Sequence, residues 1–292
     1  GGSALGMRLF VTGGTGSLGR AVIDLALARS EITRVVCFSH GEHHQMMMES
    51  DAHYQHEKLR LFLGDVRDSE RLREALQGCT HVVHTAALTY VSAGVYNPGE
   101  ILRTNVIGTE NVIRAATDVG AAAVLCITSD KGAAPVNVYG ASKFMAEQFA
   151  VAQNAISFPQ GTRVACLRLG NLLWSRGSVA HHFVQFLQAG RTIQLTDDRM
   201  TRFGIRRSHA AELAVSLLEE LRGGEVFVPL LSAFHIRDVA EAAWNRYLAR
   251  KPGEAPIELV GLRKGGERLY EILVTPEEAS HSVFVEEMGF LC

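Results

Sequence analysis

Arg8-Leu9-Phe10-Val11-Thr12-Gly13-Gly14-Thr15-Gly16-Ser17-Leu18-Gly19 is the stretch whose reading decides the fold of this chain. Arg8 to Val11 has the character of a buried strand, the glycine-rich turn follows without a gap, and a helical pattern runs from Arg20 to Arg29. In such a strand-turn-helix unit Gly13 permits the tight turn and Gly16 lets the backbone approach a pyrophosphate at the helix N-terminus. Gly19 lets helix and strand pack closely. Thr12, Ser17 and Leu18 complete the predicted cradle for a dinucleotide.

Working outward, the apolar runs VVCF (35–38), LRLFLGD (59–65), HVVHTAA (81–87), AVLCITSD (123–130) and RVACLRLG (163–170) alternate with helix-like stretches. Strands apolar on both faces belong to a parallel sheet covered by helices on each side, so the sequence predicts an α/β, doubly wound, Rossmann-like fold. Residues 7–170 form the expected dinucleotide-binding domain. The regular alternation lapses after Gly170, so residues 171–292 are expected to form a smaller C-terminal substrate-binding part, interleaved with the first domain. Gly1 to Gly6 read as lying ahead of the fold, because the first strand-like run opens at Met7.

Composition narrows the function classes. With 292 residues, 47% hydrophobic and 21% charged, the chain can bury a full core and is not of the disordered class. A net charge of -2 gives no general attraction to nucleic acid or to an anionic membrane, so a phosphate-bearing ligand must be held by local cations. Neither class of partner is expected. The cysteines Cys37, Cys79, Cys126, Cys166 and Cys292 never fall in a C-x-x-C pair, which argues against a disulfide framework or zinc site and for a reducing, cytoplasmic setting. No metal is expected: His40, His43, His44, His53 and His56 surround Met46 to Met48, but no carboxylate or cysteine cluster completes a coordination shell.

The second strand ends Ser39-His40, where an NAD site would usually carry an acidic residue for the ribose hydroxyls. NADP is therefore favoured, with NAD still possible. Asp65, with Val66 beside it, should reach the adenine edge, and Ala86 and Ala87 after the fourth strand should line the same site. At the end of the fifth strand stands Ser129-Asp130-Lys131, followed by Tyr139-Gly140-Ala141-Ser142-Lys143. Tyr139 and Lys143, four apart, share one helix face. An ammonium near the phenol would bring the Tyr139 pKa down, suiting it to take a proton from a substrate hydroxyl while hydride leaves for a nicotinamide.

TGGTGSLG, LGDVRD, HTAAL and YGASK resemble the extended short-chain dehydrogenase/reductases. TSDKGAAPVNVYGASKFMAE, LGNLLWSRGSV, TDDRMTRF and ELVGLR are similar, more narrowly, to the capsule-type UDP-N-acetylglucosamine 4,6-dehydratases, including the C5-inverting subgroup. This resemblance implies NADP-dependent conversion of a UDP-sugar to a 6-deoxy-4-keto sugar nucleotide, by a homo-oligomer serving polysaccharide biosynthesis. It implies Lys131 as the C5 base and Asp130 as the C6 acid, with Asn171, Arg199, Arg202 and Arg263 on the sugar nucleotide. Departures from the family pattern accompany the match. The loop after the fourth strand reads Ala87-Leu88-Thr89-Tyr90-Val91 where the family carries a lysine, RKGGERLYE is one residue longer than its counterpart, and His40 stands where arginine is frequent. Two other functions fit the same motifs: a nucleotide-sugar 4-epimerase or 4-ketoreductase, in which Asp130 and Lys131 are incidental, and a non-catalytic dinucleotide-sensing protein.

Overall fold

The computed structural model describes residues 6–91, 93–157, 161–175, 177–247, 255–262, 266–286 and 289–291. The strands, in chain order, are β1 (Met7–Thr12), β2 (Ile32–Ser39), β3 (Leu59–Leu63), β4 (His81–His84), β5 (Ala123–Ser129), β6 (Arg163–Leu169) and β7 (Asn171–Leu173). They continue with β8 (Ile193–Leu195), β9 (Thr201–Arg206), β10 (Val226–Val228), β11 (Ser232–His235), β12 (Ile257–Leu259), β13 (Val283–Val285) and β14 (Gly289–Leu291).

The main sheet has the order β13-β14-β10-β6-β5-β4-β1-β2-β3. From β10 to β3 every pairing is parallel, and β14 and β13 close one edge antiparallel. The chain steps outward from β1 through β2 to β3, then returns to the other side of β1 at β4. That reversal opens a crevice at the carboxyl ends of β1 and β4, where ligands of open α/β sheets bind. The alternation of buried side chains is the cause of the layering. Leu9, Val11, Val35 and Cys37 face one apolar core with the helices Ser17–Ala28 and Arg207–Glu220, whereas Phe10, Val36 and Phe38 face the other with Gly108–Asp118.

A second group of elements stands over this crevice. β11-β9-β7 form one small sheet and β12-β8 another, and Phe183, Leu187, Ile193, Leu195, Ile236 and Ala240 make a separate core beneath them. β10, β13 and β14 carry the later part of the chain back into the main sheet. Among the described residues no helix is long and apolar enough to cross a membrane.

Candidate active site

The glycine turn has the geometry of a phosphate cradle. Gly13 is left-handed at φ 63°, and a side chain there would meet Ala86 backbone atoms at 2.9 Å. A Cβ on Gly19 would collide with the Gly13 carbonyl, whereas one on Gly16 would meet only that oxygen, at 3.0 Å. Gly19 therefore serves packing, and Gly16 faces the cavity. Thr12 is fully buried behind the turn: its Oγ1 accepts from the backbone N–H groups of Thr85 (3.1 Å) and Ala86 (3.2 Å), and it lies 2.7 Å from His84 Nδ1. Thr12 thus ties the turn to the loop after β4.

A single cavity of about 1040 Å³ runs from this turn across the carboxyl ends of the strands. Gly13, Gly16, Ser17, Leu18, Ser39, His40, Asp65, Val66, Ala86 and Ala87 line one end, Ser129, Lys131, Tyr139 and Lys143 the middle, and Asn171 and Arg202 the other end. Thr12, Gly19, Asp130 and Arg199 lie outside that lining. Arg199 is turned onto Asp197, which accepts from its Nε at 3.0 Å and its Nη2 at 2.8 Å. Arg263 lies outside the described residues. A glycine turn that excludes side chains, opening into a cavity of this size, fits a dinucleotide.

Ser39 is buried, and Gln45 Nε2 donates to both its hydroxyl oxygen (3.1 Å) and its carbonyl (3.0 Å), bonds that leave the Ser39 hydroxyl hydrogen for an acceptor. His40 is exposed beside Asp65. Asp65 is engaged by Arg67 through Nη2 (2.7 Å) and Nε (3.0 Å); partial burial pushes its carboxyl up, but the Arg67 bonds prevail and hold it below its ordinary value.

The central group is built by β5 and the helix Val138–Ser157. Ser129 caps the short helix Asp130–Ala133, accepting from Lys131 N at 3.3 Å, and its hydroxyl donates to Asp130 Oδ1 at 3.0 Å. Lys131 Nζ donates to Asp130 Oδ1 (3.1 Å) and to Asn171 Oδ1 (3.0 Å), so β7 and β5 meet at this amine. Asp130 is buried and its Oδ2 has no hydrogen-bond partner among the described residues. Burial pushes the Tyr139 phenol up to about 12, outweighing the opposing influence of the Ser129 hydroxyl, and the Asp130 carboxylate adds to the rise.

Lys143 follows Tyr139 by one turn in the same helix. Its Nζ donates to the Ile127 carbonyl at 3.1 Å, and burial draws its pKa down to about 8 against the opposing pull of Cys126, Cys166 and Glu147. The phenol is therefore protonated at neutral pH in this state.

Two groups at the site, Asn105 and Glu271, are not among the residues expected from the sequence. Asn105, buried in the π-helical turn Leu102–Ile107, donates to Leu88 O (2.9 Å) and Ser142 Oγ (3.0 Å), joining the loop after β4 to the Tyr139 helix. Glu271 lines the cavity 3.7 Å from Lys131 Nζ and 3.8 Å from Arg202 Nε. Its only sequence cue is the pair Glu267 and Glu271 at helical spacing in RKGGERLYE. Among the described residues no histidine, cysteine and carboxylate cluster could hold a metal ion.

The model of a family described as polysaccharide biosynthesis protein matches residues 9–291. A Campylobacter jejuni protein named UDP-N-acetylglucosamine 4,6-dehydratase (inverting) is 34% identical over 275 residues, covering 94% of this chain and 79% of its own length. Pen from Bacillus thuringiensis superimposes with a TM-score of 0.92 at 29% identity, over 98% of this chain and 87% of that one. DesIV, a dTDP-glucose 4,6-dehydratase from Streptomyces venezuelae solved with NAD and TYD bound, gives 0.77 at 23% identity over 93% of this chain and 89% of its own, a likeness of fold.

Proposed function

The chain belongs to the polysaccharide biosynthesis protein family and is an enzyme of the extended short-chain dehydrogenase/reductase type, and from that premise we propose that it converts UDP-N-acetylglucosamine to the 6-deoxy-4-keto sugar nucleotide by loss of water. The observation that carries this reading is the meeting of Lys131, Ser129 and Asn171 beside Tyr139 in one cavity, with Asp130 bonded to Lys131 and Ser129 directly behind its wall. Simple redox chemistry at C4 needs Tyr139 alone; elimination needs a second base and an acid close by.

A bound nicotinamide dinucleotide would take hydride from C4 and return it to C6. The chain's own residues manage the protons. Tyr139 Oη gives up its own proton through Ser129 to Asp130 and, as phenolate, takes the C4 hydroxyl proton as hydride leaves. Lys131, whose amine is oriented by Asn171 and Asp130, removes the proton at C5 that the C4 ketone acidifies. Asp130, protonated in that transfer and with Oδ2 unpartnered among the described residues, delivers the proton to the departing C6 hydroxyl and returns to the carboxylate. Arg202 takes the diphosphate.

NADP is the favoured cofactor, because the turn after β2 offers His40 and no carboxylate. That preference rests on this turn alone, since the structurally similar DesIV was solved with NAD.

The test is to incubate the protein with UDP-N-acetylglucosamine and NADP, and in parallel NAD, and to weigh the product. A product lighter by one water is expected, faster with NADP, and Lys131→Met should reduce its formation at least about a hundredfold. An isobaric product, or stoichiometric consumption of cofactor, replaces this reading with a 4-epimerase or 4-ketoreductase.

A further inference from the structure

Arg202 is a buried guanidinium in an unusual state of pairing. Its Nη1 is satisfied by the Thr201 carbonyl at 2.7 Å, with Leu269 O at 3.4 Å. Its other two nitrogens face carboxylates at distances too long for hydrogen bonds: Nη2 is 3.8 Å from Glu267 and Nε is 3.8 Å from Glu271. Glu271 is itself buried, its side chain only 8% exposed, and its Oε1 also lies 3.7 Å from Lys131 Nζ. One carboxylate oxygen thus stands between the cation placed on the diphosphate and the amine placed on the sugar.

The position is fixed, not incidental. The segment carrying Glu271 is held on both sides: Asn137 Nδ2 donates to Gly266 O at 2.9 Å, Thr201 N to Leu269 O at 2.8 Å, and Arg168 Nη1 to Leu273 O at 2.7 Å. A carboxylate held this way neutralises Arg202 without saturating it. The guanidinium keeps donors for an acceptor that comes closer and carries more charge, and a diphosphate does both.

We propose that Glu271 is a surrogate anion: it counter-charges Arg202 and Lys131 in the resting enzyme and yields Arg202 to the diphosphate of the incoming sugar nucleotide, while continuing to position Lys131. This deepens the function proposed above and rests on it. Two consequences follow from one displaced charge. Ligand binding works against Glu271, because a diphosphate on Arg202 lies beside a carboxylate. Turnover depends on Glu271, because its charge stands 3.7 Å from the Lys131 amine that Asp130 and Asn171 hold by hydrogen bonds.

Glu271→Gln should therefore bind UDP more tightly, by at least about fivefold in calorimetric titration of the dinucleotide-loaded protein, with a lower KM for the sugar nucleotide and a kcat reduced about tenfold or more. A residue needed only for folding would weaken UDP binding when replaced, so the direction of the change separates the two roles. Glu271→Asp keeps the charge but withdraws it by one methylene, and its UDP affinity should fall between the two. It carries the test alone should the glutamine variant fail to bind dinucleotide. If wild type binds UDP and both variants bind it equally or more weakly, the surrogate-anion role is wrong and the dehydratase reading stands. If wild type does not bind UDP, both fall together.

Discussion

His84 shows how one buried side chain governs the dinucleotide end without touching the cavity. Its Nε2 lies 2.9 Å from Thr109 Oγ1, whose own hydrogen goes to Asn105 O at 2.7 Å, so His84 must donate from Nε2. Nδ1 is then the acceptor for the Thr12 hydroxyl at 2.7 Å, and Thr12 in turn fixes Thr85 and Ala86. A second proton on the ring would break this relay. Burial, with a contribution from the charge of Lys143, draws the His84 pKa from 6.5 down to about 3. Between those values the unfolded chain binds a proton that the native protein refuses. The stability His84 contributes is thus fully present above about pH 6.5 and is lost as the pH falls toward 3, on the order of a few kcal/mol in all. Thermal denaturation across that range should show His84→Gln with a flatter acid slope than wild type. Parallel slopes would mean that His84 titrates normally.

Among the elements, β6 carries the least expected feature, an arginine buried near the carboxyl end of a parallel strand. Arg168 is 1% exposed and its donors are fully used: Nε and Nη2 bind Glu147 at 3.0 and 2.7 Å, Nη1 and Nη2 bind Glu278 at 3.0 and 2.7 Å, and Nη1 also reaches Leu273 O. Glu147 continues the face of Tyr139 and Lys143 by one turn and accepts from Thr128 Oγ1 at 2.6 Å. Glu278 closes the capping box of the turn Pro276–Ala279. The clamp therefore joins the strand before Ser129, the Tyr139 helix and the segment that presents Glu271. Arg168→Met leaves the Glu147 charge buried without its cation, which should cost about 3–5 kcal/mol and speed amide exchange across residues 273–282; adding Glu147→Leu should recover much of the stability but not the slow exchange. Unchanged exchange in the single variant would dissociate the clamp from that segment.

The contrast between β1 and β6 explains what was legible in the sequence. The glycine turn, the parallel strands and the Tyr139–Lys143 face are written in local periods, because each needs only neighbours a few positions away. Arg168 was visible as a charge within RVACLRLG, but its partners lie at Glu147 and Glu278, and only the return of the chain over the sheet brings them together. Arg199 and Arg202 looked alike in TDDRMTRF, three residues apart. Their strand and turn geometry sends one to Asp197 in solvent and the other into the cavity.

At the scale of the whole molecule, one cavity holds the glycine turn of β1 at one end and Arg202 of β9 at the other, with the Lys131, Ser129 and Tyr139 groups between them. Dinucleotide and sugar nucleotide would meet inside it, and the proposed dehydration is redox-neutral, so nothing requires the reduced cofactor to leave between oxidation at C4 and reduction at C6. A hydrogen removed from one sugar should then return to the same sugar. The clean test mixes equal amounts of two substrates, one deuterated at C4 and the other labelled with carbon-13, and examines the products by mass spectrometry. Deuterium should appear at C6 only in molecules free of carbon-13, and in heavy water each product should gain a single solvent deuterium at C5, delivered through Lys131. Deuterium on carbon-13 molecules in proportion to mixing would mean that the reduced dinucleotide exchanges between turnovers, and the enclosed single-cavity cycle would have to be given up even if water is lost.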